Sequence, residues 1–554
     1  MTGSLRRAYT ALNSVLDPKW YNHPSAMTPI LCILALTMGA QPDSITLSGA
    51  DLLKRSEHVI VSSAGRLSLQ PDALSGTCGA TLPIPGGHPK HITIRLADPI
   101  TPPGDSASKM WPVLSTDIIT QVRFRVRGNW TDYQPRNILR GGDMADSDAD
   151  GIPDWASVMR LREYGNLIYA DTCISDWPPP ENDYWHGKAI ERGNFLDRVE
   201  HPRGAEQSLR LRRTTSDGQD TAAMRLDLVP PDIELTVCGW TKYDLGDETS
   251  MGVMARFHEF DAAGDRVNKY DLLGDDDFHQ PSGRSDWTWR ALSFKSLPET
   301  TFLNLYPIRM ITAKGRAWAA NYEIRLGSVW GKGRVVFRED FESLDGWTIS
   351  APTSRTASHS SLVTHQARSC LLLSPEPLQV VTATQKKPFE VKPGQMYAFR
   401  IAMQNDVPAS YEKTHQAWMS AYLEFYDKDM RFLDYCKVMA FRPTMDRPSG
   451  AAMIAPKGSR YARFMLAASH ITYAEKTGMT GPMRAYFDAL QVEESDFDPT
   501  FAPRPADDIN VVIPRGAEQM EIRSFLLTRR KGLSPTFNGY EVYWAQAPNY
   551  TSER

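Results

Sequence analysis

Residues 230–244 read PPDIELTVCGWTKYD, and residues 392–406 align with them without a gap as KPGQMYAFRIAMQND. In each stretch, a turn that contains proline leads into a run of alternating side chains. That period is typical of a β-strand with one face on a core. The faces we expect to be equivalent carry Leu235, Val237, Gly239 and Thr241 in the first stretch, and Tyr397, Phe399, Ile401 and Met403 in the second.

The segments around these two strands keep a common order of features. Many short alternating strands at such spacing predict antiparallel sandwiches. We therefore predict an all-β chain with two tandem antiparallel jelly-roll β-sandwiches, over residues 168–333 and 334–500. The further matching segments are 208–211 with 369–372, 254–261 with 420–427, and 319–324 with 484–489.

Both segments resemble galactose-binding-domain-like jelly rolls, in particular the carbohydrate-binding modules appended to secreted glycoside hydrolases. Residues 337–347 (FREDFESLDGW) are similar to the opening of that family, and residues 484–488 (RAYFD) resemble its last strand. Such folds host many functions, so the resemblance is one of fold before it is one of activity.

The same resemblance implies a structural calcium ion between the first and last strands of a module. In the second segment it implies Asp340, Glu342 and Asp488 as ligands. In the first segment Glu323 takes the place expected for the last aspartate. The opening of that segment, near Asp171 and Trp177, is degraded, so the resemblance carries no calcium site there.

A second calcium site is predicted from spacing in residues 146–154, DSDADGIPD. Oxygen ligands at alternate positions converge on a hard cation when a glycine such as Gly151 permits a tight turn. Position 12 is Ser157 rather than glutamate, so the loop is not an EF-hand; it resembles the loops of thrombospondin type 3 repeats. The alternative is a solvated acidic linker. The expected ligands are Asp146, Asp148, Asp150, the carbonyl of Ile152, and Asp154.

The remaining parts of the chain follow from local pattern. Residues 155–164 (WASVMRLREY) predict one short amphipathic helix, so 146–167 form a calcium-loop and helix connector. Residues 41–145 predict an N-terminal β domain. Residues 501–554 predict a C-terminal β unit, either a partial module or an appendage, and its PRGAEQ at 514–519 repeats 202–207.

The outward tryptophans of the first segment suggest a carbohydrate site, because sugar rings stack their C–H faces on aromatic rings. Trp240 lies opposite the apolar face of its strand, and the matching residue of the second segment is Ala402. Trp418 and Tyr422 are weaker candidates there. The alternative is that these rings are core residues, since tryptophan is highly buried on average. The predicted ligand-binding residues are Trp240, Tyr243, Trp287 and Trp289.

The charge and the apolar runs of the sequence bear on the partners and the location of the protein. The net charge of −4 over 554 residues and the lack of a long basic run argue against nucleic-acid binding. The apolar run at residues 29–40 (PILCILALTMGA) is too short to span a bilayer and is typical of a secretory signal. We expect residues 1–40 to be an extension with that signal, Met27 being an alternative start. No transmembrane segment would remain, and the protein would be secreted or on the cell surface.

The sequence contains no nucleophile elbow, zinc-protease, phosphate-loop or dinucleotide motif. An acidic run at residues 275–277 precedes His279, but spacing alone cannot oppose two carboxylates. The five cysteines after the signal give no zinc pattern or disulfide framework. We therefore predict a non-catalytic protein that binds polysaccharide and Ca²⁺. The alternatives are a structural or adhesive surface protein and a β-sandwich hydrolase or lyase.

Overall fold

A computed structural model describes residues 44–85, 91–97, 104–105, 113–114, 116–132, 138–139, 143–144, 157–161, 195–214, 219–246, 252–274, 279, 281, 283–331, 333–351, 360–408, 417–470, 478–479, 481–500 and 508–545. These residues form antiparallel sheets, with one α-helix, α1 (Gly49–Leu52), followed by a 3₁₀ turn (Leu53–Arg55). The all-β prediction is confirmed. None of the helices in these ranges has the length and apolarity to cross a membrane.

The two ends of the described chain share one sandwich. Its first sheet runs β1 (Ser44–Ser48), β34 (Gly539–Ala545), β5 (His91–Ala97), β32 (Asp508–Val512). Its second sheet runs β4 (Ser75–Pro83), β33 (Ala517–Thr528), β8 (Thr116–Val126), β9 (Asn129–Asp132). Two short hairpins accompany them, β2 (Val59–Val61) with β3 (Leu67–Leu69) and β6 (Gly104–Asp105) with β7 (Val113–Leu114). The separately predicted flanks therefore form one body, whose core contains Phe124, Ile522 and Val542.

The other described residues form two long sheets, packed face to face. The front sheet runs β11 (Phe195–Asp197), β12 (Ser208–Arg213), β19 (Gly315–Leu326), β14 (Glu234–Leu245), β17 (Thr288–Lys295), β29 (Ser449–Ile454), β26 (Met396–Asn405), β31 (Ala485–Glu494), β23 (Arg368–Leu373), β22 (Ser360–His365), with β20 (Arg334–Glu339) also on β31. The back sheet runs β10 (Ser157–Leu161), β13 (Gln219–Leu226), β18 (Phe302–Ile311), β15 (Gly252–Phe260), β16 (Arg266–Leu273), β28 (Phe432–Ala440), β27 (Ala417–Tyr426), β30 (Tyr461–His470), β24 (Gln379–Gln385), β21 (Trp347–Ser350), with β25 (Phe389–Glu390) also on β30.

Each long sheet contains both predicted repeats, joined edge to edge. In the front sheet the junction is β17 against β29, with Leu292 opposite Ala451. These two residues are equivalent, because Leu292 also pairs with Val237 and Ala451 with Phe399. Antiparallel pairing of equivalent residues places a pseudo-twofold axis at the junction. The two sandwiches are therefore related as the subunits of a symmetric dimer would be.

The alternation that predicted the first strands is confirmed in space. Leu235 and Val237 of β14 face the core between the two sheets, as do Tyr397 and Phe399 of β26. The turns that follow β15 and β27 also match, since the backbone of Asp261 bonds to Asp265 (N···O 3.0 Å) as that of Asp427 bonds to Arg431 (3.0 Å). A single inward-facing pattern therefore builds both halves.

The first sandwich begins before residue 168. The N–H of Ile138 bonds to the carbonyl of Ile324 in β19 (2.7 Å). In the second sandwich, the equivalent strand β31 pairs with β20 at the matching position. Met144 is fully buried and its carbonyl accepts the side-chain amide of Gln207 (2.5 Å). In the second sandwich, the carbonyl of buried Phe341 accepts the hydroxyl of Ser369 (2.8 Å). Ile138 and Met144, which precede residue 168, are therefore part of the first sandwich.

The helix predicted over 155–164 is wrong where the structure describes it. Residues 157–161 form β10, which pairs antiparallel with β13 from Ser157 opposite Ala223 to Leu161 opposite Gln219. A ten-residue pattern is too short to hold a helix by propensity alone, and a free sheet edge provides a full ladder of hydrogen bonds.

The predicted match of Glu323 with Asp488 is also corrected. Asp488 pairs with Ala402, whose counterpart Trp240 pairs with Ala320. Ala320 therefore stands where Asp488 does. Glu323 is buried three residues further on, where it forms an ion pair with Arg325. The Arg325 guanidinium also donates to the carbonyls of Asp498 (2.9 Å) and Thr500 (2.7 Å), which holds the segment after β31 across the front sheet.

Candidate functional site

Tryptophans and charged side chains share the outer face of the front sheet in the first sandwich. Cross-strand partners lie on one face, and the register places Trp318 between Arg210 and Lys242. Trp240 is on the same face as Lys242, two residues along β14. We call this the tryptophan surface. It comprises Asp197, Glu200, Arg210, Arg212, Trp240, Lys242, Asp244, Arg284, Trp287, Arg316 and Trp318.

The indole of Trp287 is fixed from one side by Glu200. One oxygen of that carboxylate, Oε1, accepts both Trp287 Nε1 (3.0 Å) and Lys242 Nζ (2.9 Å). Trp287 and Trp240 are both half-buried, so each keeps part of its ring in solvent. The surface therefore presents two partly exposed indoles, and a carboxylate holds the edge of one of them, Trp287.

Trp318 forms the floor of the surface, only 4% exposed. Its Nε1 donates to Asp197 Oδ2 (3.1 Å), and Arg210 Nη1 donates to the same oxygen (3.1 Å). The other oxygen accepts the N–H groups of Val199 and Glu200, each at 3.0 Å. Burial alone would raise the pKa of Asp197, but these hydrogen bonds and the Arg210 charge hold that pKa below its usual value.

Arginines border the surface on its solvent side. Asp244 accepts Arg284 through Nε to Oδ1 (3.3 Å) and Nη2 to Oδ2 (3.2 Å), and Arg316 Nη2 to Oδ2 (3.0 Å). The bond from Arg284, with that from Arg316, lowers the pKa of Asp244. The guanidinium of Arg316 and the ammonium of Lys242 lie 5.5 and 5.8 Å from the Trp318 ring centroid, within cation–π range.

Two of the four predicted ligand-binding residues are not part of the tryptophan surface: Trp289 is buried, and Tyr243 is half-buried against the core. Trp289 is 2% exposed, packed on Phe497 (ring centroids 5.7 Å apart) and in a cluster with Trp330. The prediction of an exposed platform is therefore wrong for Trp289. Tyr243 faces inward, packed against the core, and burial together with the nearby Asp434 raises its pKa to about 12.

Sequence reasoning missed Trp318, Asp197 and Glu200. Trp318 alternates with Arg316 and Ala320 along β19, a pattern that marks an outward tryptophan only once the direction of β19 is known. Asp197 is the last residue of the edge strand β11, and Glu200 lies in the bend after it, so a period-two pattern does not indicate which way either side chain points.

The acidic residues predicted as a calcium site in the second sandwich, Asp340, Glu342 and Asp488, are not brought together as a group of three ligands in the described residues. Asp340 is bonded to Arg338 (Nε to Oδ2, 2.8 Å), and Glu342 is exposed. Asp488 is buried, with Arg368 at 3.7 Å and its own neighbour's N–H, that of Ala489, at 2.6 Å. Guanidinium groups thus stand beside two of the three carboxylates. The part of the chain that the structure describes holds no group of three or more metal-ligating side chains.

The predicted loop ligands Asp146, Asp148, Asp150, Ile152 and Asp154 lie outside the described residues. The acidic run at 275–277 lies outside them as well. Structure is described on both sides of the 146–154 loop, at buried Met144 and at β10.

His279 bridges the two sandwiches on the back sheet. Its Nε2 lies 2.7 Å from Glu424 Oε1, and its ring stacks on Phe432 at 4.5 Å. Glu424 Oε2 also accepts Tyr426 (2.5 Å) and Arg463 (3.0 Å). This buried cluster is saturated with hydrogen bonds and serves as a contact between the sandwiches. Nearby, Tyr422 is fully buried and Trp418 is 9% exposed, so neither offers a stacking face.

No family model and no curated protein matches this chain. The solved structures that it resembles include carbohydrate-binding β-sandwiches. The tandem CBM22-1–CBM22-2 domain of Paenibacillus barcinonensis Xyn10C is 16% identical over 54% of this chain and 90% of its own, with a TM-score of 0.19. The C-terminal family 22 module of Clostridium thermocellum Xyn10B is 12% identical over 30% and 98%, with a TM-score of 0.20. TmCBM61, solved with β-1,4-galactotriose, is 10% identical over 28% and 94%, with a TM-score of 0.20.

Proposed function

We propose that this chain binds polysaccharide and that the tryptophan surface holds the glycan. The observation that carries the proposal is the pair of half-buried indoles, Trp240 and Trp287, set among charged hydrogen-bonding groups. A sugar ring offers an apolar C–H face for an indole and hydroxyls for charged partners, which form the stronger hydrogen bonds. Glu200 already fixes the Trp287 ring, so little side-chain entropy is lost when a ligand stacks on it.

The second sandwich has different residues at the positions of the tryptophans, which limits the proposed glycan site to the first sandwich. Its front sheet has Ala402 at the position of Trp240 and Tyr486 at that of Trp318. Tyr486 is stacked on His365, with ring centroids 3.9 Å apart. The matching face of the second sandwich therefore lacks the open indoles, and we place glycan binding in the first sandwich alone.

The test is calorimetric binding of the full chain to a panel of plant and bacterial polysaccharides, beside Trp287→Ala and the control Tyr486→Ala. We expect Trp287→Ala to weaken binding about tenfold or more, because a buried aromatic contact contributes roughly 1–3 kcal/mol. Tyr486→Ala should leave the affinity unchanged. Full binding by Trp287→Ala, or no binding by the native chain to any glycan, would contradict the proposal.

We further propose that residues 146–154 bind Ca²⁺ and stiffen the opening of the first sandwich. The spacing of the aspartates supports this, and so do the fixed ends of the loop, buried Met144 on one side and β10 on the other. Calcium at 100 times its dissociation constant would stabilise the fold by about 2.7 kcal/mol. Thermal unfolding with Ca²⁺ and with chelator should differ for the native chain and agree for an Asp148→Asn, Asp150→Asn variant. We also propose export of the protein, on the apolar run at 29–40.

A rigid spacer is the second candidate, and the continuous sheets favour it. The buried Arg290 and the partly buried Asp434 form an ion pair across the junction, with Arg290 Nη2 2.6 and 2.7 Å from the two carboxylate oxygens. Such a junction resists bending between the sandwiches. If the native chain binds no glycan while both sandwiches unfold in one cooperative transition, the spacer function is the better conclusion.

A further inference from the structure

Among the described residues, the carboxylate of Glu200 uses only one of its two oxygens. Oε1 accepts both Trp287 Nε1 (3.0 Å) and Lys242 Nζ (2.9 Å). Within the described ranges Oε2 has no hydrogen-bond partner, and the side chain of Glu200 is 37% exposed. A carboxylate has about four lone-pair sites on its two oxygens. Oε2 therefore keeps its capacity to accept a hydrogen bond, close to the edge of the Trp287 ring.

The backbone of Glu200 is fixed on both sides. Its N–H donates to Asp197 Oδ1 (3.0 Å), and its carbonyl accepts the hydroxyl of the fully buried Ser208 (2.5 Å). These two bonds tie the bend after β11 to the first residue of β12. The side chain of Glu200 is then held by Trp287 and Lys242. A ligand therefore meets a carboxylate that is already in place, so binding costs little side-chain entropy.

Lys242 places a donor next to this acceptor. An ammonium group has three N–H donors, and the bond to Glu200 Oε1 uses one of them. The ammonium lies 5.8 Å from the Trp318 ring centroid, and the side chain of Lys242 is 18% exposed. A hydroxyl both donates and accepts a hydrogen bond. Two neighbouring hydroxyls of one sugar ring are therefore complementary to an acceptor and a donor that lie side by side.

The second sandwich has an uncharged pair in the same place. Gln404 stands at the position of Lys242 in the strand register. The turn between β22 and β23 supplies Gln366, whose side-chain amide donates to Gln404 Oε1 (2.9 Å). A contact between the turn and the strand thus forms without charges. The topology that the two sandwiches share therefore does not require the carboxylate of Glu200 or the ammonium of Lys242.

We propose that Glu200 and Lys242 select a polysaccharide whose sugar, stacked on Trp287, has two free neighbouring hydroxyls. One hydroxyl donates to Glu200 Oε2, and the next accepts a hydrogen bond from Lys242 Nζ. Hydrogen bonds to charged groups are the stronger ones. A site built to bind a hydroxyl also rejects a ligand that lacks it, because its own polar groups are then left unpaired. This inference rests on the proposed glycan-binding function and adds the residues that determine specificity.

The experiment measures calorimetric binding of the full chain to glucomannan, mixed-linkage β-glucan and arabinan, each with free hydroxyls and after partial O-acetylation. We expect a free form to bind about tenfold or more tightly than its acetylated form, because acetylation removes the hydroxyl donor for Glu200. Glu200→Gln should weaken binding of the free form alone and reduce the preference to about threefold or less. Gln366→Ala, in the second sandwich, is the matched control and should keep the native preference. Thermal unfolding of each variant separates lost binding from lost folding.

The outcomes separate this inference from the glycan-binding proposal on which it rests. Equal binding of free and acetylated forms, lost in Trp287→Ala, would overturn the recognition of hydroxyls and keep the glycan site. An equal loss for both forms in Glu200→Gln would also overturn it, because Glu200 would then act only by holding the Trp287 ring. Binding of none of these glycans, nor of any other polysaccharide in the panel, would overturn both proposals.

Discussion

The two sandwiches have one topology and one inward pattern, but their outer faces differ. Leu211 and Leu373 occupy equivalent core positions, as do Val237 and Phe399, because any residue there must fill the space between two sheets. No such constraint acts on the outer face. A feature found outside in only one sandwich, such as the tryptophans and arginines of the first, is therefore not required by the topology that the two sandwiches share.

The junction that joins the sandwiches gives the largest expected effect. Asp434→Ala should destabilise the chain by about 3–5 kcal/mol, because it leaves the buried Arg290 guanidinium without its carboxylate. Chemical denaturation measures this loss. Asp429→Ala, which removes an exposed partner of Lys428, is the control and should change stability by less than about 1 kcal/mol. Equal effects would mean that the junction is not a structural core of the molecule.

The two sandwiches differ in a buried carboxyl group, which we expect to make the stability of the first sandwich depend on pH. Glu259 is fully buried in the first sandwich, where the second has Phe425. It accepts the N–H of Leu297 (3.1 Å) and the hydroxyl of Thr300 (2.8 Å), yet burial raises its pKa from 4.5 to about 7.

Since the folded carboxyl holds its proton to a higher pH than the unfolded one, its stabilising effect is complete below pH 4.5. It is then lost as the pH rises to about 7. The loss is roughly 3 kcal/mol. Glu259→Gln, which keeps both hydrogen bonds without the charge, should abolish this slope in denaturation measured from pH 4.5 to 8. An unchanged slope in the variant would assign the pH dependence to other groups.

The floor of the tryptophan surface gives a smaller effect. Trp318→Phe keeps an aromatic ring but removes the Nε1 donor from buried Asp197, so we expect a loss of about 1.5–3 kcal/mol. The equivalent change in the second sandwich, Tyr486→Phe, should have an effect below about 0.5 kcal/mol, as is usual for substitutions at a surface. Thermal unfolding of both variants measures the difference. Similar losses would show that the two outer faces are held in the same way.

The local sequence pattern was sufficient to predict the strands, but it could not predict which strands pair with each other. The alternation in residues 230–244 and 392–406 fixed which side chains face inward, since that depends only on the pleat of the backbone. The fusion of the sheets depends on β17 meeting β29, and the shared flank depends on β33 meeting β4 and β8. These pairings join residues far apart in sequence, so no local period can indicate them.

Only part of the site could be predicted from the sequence, again because a local pattern carries no information on distant segments. The pattern placed Trp240 and Trp287 outside, where the structure has them. It placed Trp289 outside as well, and that is its direction, but the segment that follows β31 brings Phe497 over the ring. A strand pattern gives the face that a side chain occupies. It does not give what crosses that face, so burial of an outward tryptophan could not be predicted.

The smallest effect we predict tests whether Lys242 contributes to binding beyond its bond to Glu200. Lys242→Met keeps the apolar stem over Trp318 and removes one donor, so we expect about a threefold to tenfold loss of glycan affinity, since one hydrogen bond contributes roughly 0.5–1.5 kcal/mol. Gln404→Met, at the equivalent position of the second sandwich, should leave affinity unchanged. If Lys242→Met instead strengthens binding, the ammonium obstructs the ring of Trp287, and the first sandwich holds its glycan by stacking against aromatic surface more than by hydrogen bonding.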